Sequence, residues 1–152
     1  MKIGFLTNSL VEEAKRQKSS EFQSLRQVAD WAADHGFTDL ECGPSLPLSL
    51  EEYERVLGEG RIHITALIYC RNYLSTDADE AREHIIQLKK RIEFAGRLGI
   101  QKVITSTGIN KSIEEGIYDR DPEVKDRGNM IRRIPVRSLD AFVDTFGPLV
   151  EL

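Results

Sequence analysis

The chain has 152 residues, 40% hydrophobic and 30% charged, which is the length and composition of one ordinary globular domain with a real core. Its 21 Lys and Arg against 25 Asp and Glu leave a formal charge of −4, which argues against a nucleic-acid partner. Cys42 and Cys70 are too few and too far apart for a disulfide framework or a structural zinc site, and no apolar run reaches the length of a membrane span. The start, MKIGFLTNSL, runs straight into a strand with no charged leader. The expectation is a cytoplasmic protein whose two cysteines pack as small apolar residues beside strand ends.

Lys2 to Thr7 reads as a first strand, with Ile3, Phe5 and Leu6 in a short apolar run and Asn8 and Ser9 at its end. Glu12 to Ser20 is polar and reads as a loop or a frayed turn. Ser20 and Ser24 each open a capping box for a helix that runs to His35, its apolar face made by Leu25, Val28, Ala29 and Ala32. Gly36 follows where a left-handed residue would end that helix, and Thr38 to Cys42 is the second strand.

After a loop marked by Pro44 and Pro47, Ser49 caps a short helix to Leu57. Arg61 to Tyr69 is a third strand, apolar and β-branched enough for a parallel strand covered on both faces. Thr76 caps a long helix with Ala81, Ile85, Leu88, Ile92 and Ala95 as its stripe. Gly99 ends it, and Gln101 to Thr105 is the fourth strand. Gly36 and Gly99 lie 63 residues apart, about two βα units of roughly 30 residues each.

From Ile109 the pattern changes. Residues 116–137 hold six basic and four acidic side chains and read as an excursion on the surface. Ser138 restarts a helix with Leu139, Phe142, Val143 and Phe146 on one face, and Gly147-Pro148 marks a bend or break. Strands alternating with helices predict an α/β fold with a parallel sheet and right-handed crossovers. Four strands fit an open flavodoxin-like sheet or the first half of an eight-stranded βα barrel. The first loop, TNSLVEEAKRQ, lacks the glycines that an open nucleotide-binding sheet would carry there.

GFLTNSL, WAADHGFTDLECG, ITALIYCRNYL, HIIQLKKRIEFAGRLGI and KSIEE together resemble the sugar phosphate isomerase/epimerase proteins of the xylose-isomerase-like TIM barrel superfamily. The resemblance covers residues 1–115 and, through FGPLVEL, 138–152. It implies a single partial TIM barrel domain over 1–152, an N-terminal half with an insertion at 116–137. It also implies a divalent metal (Mn, Mg or Zn) in the full-length parent, held from later strands, and a glutamate pair that moves a proton next to a carbonyl or hydroxyl carbon. Those strands are not in this sequence, so no metal ligand is carried over and the chain by itself is expected to be inactive. His35, His63 and His84 read as surface or supporting residues, none paired at i, i+4 with another ligand.

Strand C-terminal ends carry the functional groups in such barrels. The candidate substrate contacts are therefore Asn8, Glu41, Tyr69, Asn72 and Thr107, with Ser106 beside the last. Their hydrogen-bonding groups suit a sugar or polyol, and Glu41, an acid within an apolar strand, is the foremost of them. The alternatives are a non-catalytic half barrel that associates with itself through its open sheet edges, and a relative of the apurinic-site endonucleases. The latter would want histidines at the ends of the third and fourth strands, where Tyr69-Cys70 and Thr105-Ser106-Thr107 stand. Arg120, Arg127, Arg132, Arg133 and Arg137 read as a solvated loop. A third alternative is a piece with no function of its own.

Overall fold

The computed structural model describes residues 3–75, 77–106 and 139–149. They form an α/β structure with four parallel strands: β1 (Gly4–Leu6), β2 (Asp39–Cys42), β3 (His63–Ile68) and β4 (Val103–Ile104), in one sheet of order β1-β2-β3-β4. Five helices accompany it: α1 (Asn8–Arg16), α2 (Leu25–Asp34), α3 (Leu50–Gly58), α4 (Ala78–Leu98) and α5 (Leu139–Phe146), the last followed by a 3-10 turn at Gly147–Leu149. The expected strands are all present, each shorter than its expected span. Among the described residues no helix is long and apolar enough to cross a membrane. The expected insertion at 116–137, with its arginines, and the helix caps at Thr76 and Ser138 lie outside the described residues.

The chain divides into two compact units, one of Met1–Tyr69 and Arg91–Ile104, the other of Cys70–Lys90 and Thr105–Leu152. The first holds the whole sheet.

Helix ends follow the sequence signals closely. Ser24, not Ser20, caps α2, its Oγ accepting from the Gln27 amide at 3.2 Å. Gly36 takes φ +81° and Gly99 φ +69°. At both, the next residue's amide reaches back to the carbonyl five positions earlier, Phe37 to Ala32 and Ile100 to Ala95, each at 2.9 Å. This paired bonding satisfies the last helical carbonyls and turns the chain into β2 and toward β4. For α4, Asp77 does the capping, its carboxylate accepting from the Asp79 and Glu80 amides.

The structure corrects the reading of Glu12 to Ser20. Residues 8–16 are helical, with Val11 and Ala14 buried. The helix ends in the same bonding pattern as α2, Ser19 N–H to Ala14 and Lys18 N–H to Lys15, but with Lys18 rather than glycine at positive φ (54°). Salt links from Lys15 to Glu12 and from Arg16 to Glu13 brace its exposed side. Two apolar residues three apart and acid–base pairs at the same spacing were the available signal.

The sheet is covered on one face. Leu40, Cys42, Ile64 and Leu67 enter one cluster with Val11, Leu25, Val28, Ala29, Ala32, Tyr53, Val56 and Ala95, while Phe5 and Val103 pack against its edge. Phe5, Trp31 and Phe37 add edge-to-face and stacked ring contacts at 4.9–5.9 Å. The expectation that β3 is covered on both faces is corrected: His63 and Thr65 are exposed. Their side of the strand carries the polar groups described below. Cys42 is buried as expected, but Cys70, just past β3, is exposed. Val143, on the apolar face read for α5, is 55% exposed.

In the second unit Tyr73 is the buried anchor. Its ring meets His84 and Phe146 edge-on, and its hydroxyl accepts a hydrogen bond from Thr105 Oγ1 at 2.7 Å. His84 stands 3.6 Å from the Glu80 carboxylate one turn earlier, an i, i+4 pairing that the sequence reading missed.

Candidate functional site: the open face of the sheet

Strand alternation assigns the uncovered face. Partners in a parallel ladder share a side, and successive residues take opposite sides. Gly4, Asp39 and His63 stand in one row across β1, β2 and β3. One step toward the strand C-termini, Leu6 pairs with Glu41 and Glu41 with Ala66; Leu67 pairs with Val103, so Lys102 continues that row. Between the two rows β3 has one residue more than β2, because Leu40 pairs with Ile64 and Glu41 with Ala66. Thr65 is the extra residue, and its Oγ1 donates to the Leu40 carbonyl at 3.2 Å.

These residues line a cleft of about 600 Å³ whose walls are Gly4, Phe5, Leu6, Asp39, Glu41, Thr65 and Lys102. It brings together two carboxylates, a hydroxyl and an ammonium over a floor of strand backbone. Glu41 is half-buried there, and among the described residues its carboxylate makes no hydrogen bond or ion pair. Asp39 is held by the neighbouring Thr38 hydroxyl. Ala66, the smallest side chain of the second row, stands between Glu41 and Lys102, whose backbones are two strand spacings, roughly 10 Å, apart. Ala66 itself is only 1% exposed, and the Glu41 acceptor and the Lys102 donor line the cleft from either side of it.

On the helix side of the same strand lies a contrasting pair. Tyr53 is fully buried, and its hydroxyl finds no hydrogen bond of ordinary geometry among the described residues. It lies beside the Cys42 thiol, a weak and soft partner. Burial pushes the Cys42 thiol up to about 12, and burial likewise raises the Tyr53 hydroxyl. Both stay neutral at ordinary pH, so the chemistry of β2 points to the open face, not the core.

Of the expected substrate contacts, Glu41 alone lines this cleft. Asn8 opens α1 and turns its amide oxygen to the Ser45 amide at 3.4 Å, in a junction where Thr7 Oγ1 also accepts from the Gly43 amide at 3.0 Å. Tyr69 is 6% exposed, its ring capped by the Arg91 guanidinium at 3.9 Å. Asn72 is half-buried and Ser106 donates to the Arg71 carbonyl at 3.0 Å, both in the second unit. Thr107 lies outside the described residues. Asp39, Thr65 and Lys102 were missed. Asp39 was legible, since Asp39 and Glu41 alternate with Leu40 and Cys42 at the strand period. Thr65 reaches its place through the extra residue of β3, which no periodicity announces.

Among the described residues no three of His, Cys, Asp and Glu are grouped to hold a metal ion. The open face, as these residues form it, does not by itself fit a metal site. No family model matches the chain, and no curated protein matches it.

Proposed function

We propose that this chain forms the hydroxyl-binding wall of a βα barrel of the sugar isomerase/epimerase kind, the N-terminal half of the ring. The reading rests on one observation: a parallel sheet in strand order carries Glu41, Asp39, Thr65 and Lys102 on its open face and apolar side chains on the other. A sugar or polyol is read by donors and acceptors. Glu41 accepts from two of its hydroxyls, Thr65 both donates and accepts, and Lys102 donates from the far side of Ala66. Interconversion of the bound sugar, by moving a proton next to its carbonyl carbon, falls to groups on strands beyond these four. The implied divalent metal belongs with those groups and would polarise the substrate oxygens. A cytoplasmic setting and a small-molecule substrate complete the reading.

The test is a titration of the isotope-labelled chain with aldoses, ketoses, their phosphates and cyclic polyols, followed through amide resonances. The expected result is a set of shifts centred on Glu41, Ala66 and Lys102 for at least one class, lost in Glu41→Gln. Shifts that survive unchanged in Glu41→Gln, or none for any class, would remove the reading.

A further inference from the structure

Asp39 and Glu41 leave β2 on the same side, two residues apart, and both line the cleft of the open face. Their backbone positions are about 7 Å from each other. The extra residue of β3 stands beside the gap between them, because Leu40 pairs with Ile64 and Glu41 with Ala66, and Thr65 falls between those two pairs. Its hydroxyl gives its hydrogen to the Leu40 carbonyl at 3.2 Å, so what it offers the cleft is a lone pair.

The surroundings keep this gap open and acidic. On the β1 side it meets Gly4, where a β-carbon would stand 2.9 Å from the Asp39 Cβ and carbonyl oxygen, so Asp39 lies against bare backbone. The Thr38 hydroxyl steadies Asp39 through Oδ2 and leaves Oδ1 to the cleft. His63 shares the row of Asp39 but does not line the cleft. The lining thus carries two carboxylates against one ammonium, that of Lys102, which pairs with neither of them among the described residues.

We infer, resting on the sugar reading above, that the cleft takes an amino-bearing sugar or polyol, its ammonium seated between Asp39 and Glu41 and its hydroxyls turned toward Lys102. An ammonium has three hydrogens to donate and no acceptor, and the gap offers it three acceptors: Asp39 Oδ1, the Glu41 carboxylate and Thr65 Oγ1. Hydrogen bonds between charged partners are shorter and about twice as strong as neutral ones, so the amine outranks a hydroxyl at the same place. A phosphate meets the opposite field. It would stand nearer to two carboxylates than the screening length of about 8 Å at physiological salt, with one lysine to offset them.

Titration of the labelled chain at pH 7, where most of the sugar amine is protonated, ranks glucosamine, glucose and glucose 6-phosphate through the amide resonances of Glu41, Thr65 and Lys102. Glucosamine should bind at least about tenfold more tightly than glucose, with the phosphate weakest, and its advantage should shrink as salt is added. Asp39→Asn and Glu41→Gln each remove one charge at nearly constant shape, and each should cut that advantage by about threefold or more. Circular dichroism checks that both variants are folded. A glucosamine affinity no greater than that of glucose, a phosphate that binds more tightly than glucose, glucosamine shifts centred away from this cleft, or an advantage unchanged in both variants would each overturn the inference. Glucose bound at Glu41 with no preference for the amine removes this inference and leaves the hydroxyl-binding reading standing, whereas no shift with any sugar removes both.

Discussion

The Asn8 side chain occupies the space that a β-carbon on Gly43 would need. A carbon built there would lie 2.8 Å from the Asn8 amide nitrogen and closer still to its oxygen. The end of β1 and the end of β2 are thereby locked together, Thr7 Oγ1 accepting from the Gly43 amide and Asn8 Oδ1 from the Ser45 amide. A residue expected to read substrate is committed to holding two loops in register.

Gly43→Ala should therefore cost about 1–3 kcal/mol, the range for forcing an extra carbon into a packed site. Asn8→Ala opens the space, so the double variant should be less destabilised than the sum of the single ones. Urea unfolding of the four proteins measures the coupling. An additive cycle would show that Asn8 moves aside freely and remains available to a ligand.

Tyr53→Phe should leave stability unchanged or raise it by up to about 1 kcal/mol. It removes a fully buried hydroxyl that has no well-formed partner among the described residues and keeps the ring against Phe94 at 5.0 Å. A loss larger than that in thermal unfolding would mean that the Cys42 thiol is a better partner than its geometry indicates.

The two cysteines should differ sharply. At pH 8 a thiol reagent should modify Cys70 in the folded chain and reach Cys42 only after denaturation, since the buried thiol is held neutral. Stability should follow the same group. The thiol ionises near its ordinary value when unfolded and near 12 when folded, so the unfolded chain loses its proton first as pH rises. The contribution is complete below about pH 8.5 and is lost progressively between there and 12, with Tyr53 acting in the same sense. Cys42→Ala should move the alkaline unfolding midpoint upward; an unmoved midpoint assigns the transition to Tyr53 or to surface charge.

Glu41→Leu should hold or increase stability, by up to about 1 kcal/mol, because a half-buried carboxylate without a partner among the described residues adds nothing to the stability of the fold. Calorimetry alongside the sugar titration separates the roles. A loss above about 2 kcal/mol would make Glu41 a structural residue.

Much of this architecture is legible before any coordinate. Leu25, Val28, Ala29 and Ala32 announce α2 by their spacing, and Gly36 and Gly99 announce the two helix stops, because only glycine takes that conformation without penalty. Legibility fails where one residue does another's work. Lys18 ends α1 in the conformation usually given to glycine, and the helix before it has only two buried side chains to mark it. On the open face Asp39 could be read from its alternation with Leu40. Arg91 over Tyr69 could not, because an arginine in the middle of a charged helix looks like solvent decoration until the strand end beneath it is placed.

The surplus residue of β3 has a consequence for how this face can change over time. Ile64 and everything before it keep register with Leu40, and Ala66 and everything after it keep register with Glu41, whether or not Thr65 is there. Deleting it would leave each flanking side chain on its own side and close the ladder into a regular one. The hydroxyl is thus a detachable fitting on a permanent frame, and a lineage could gain or lose it in one codon-sized step without disturbing a single core contact.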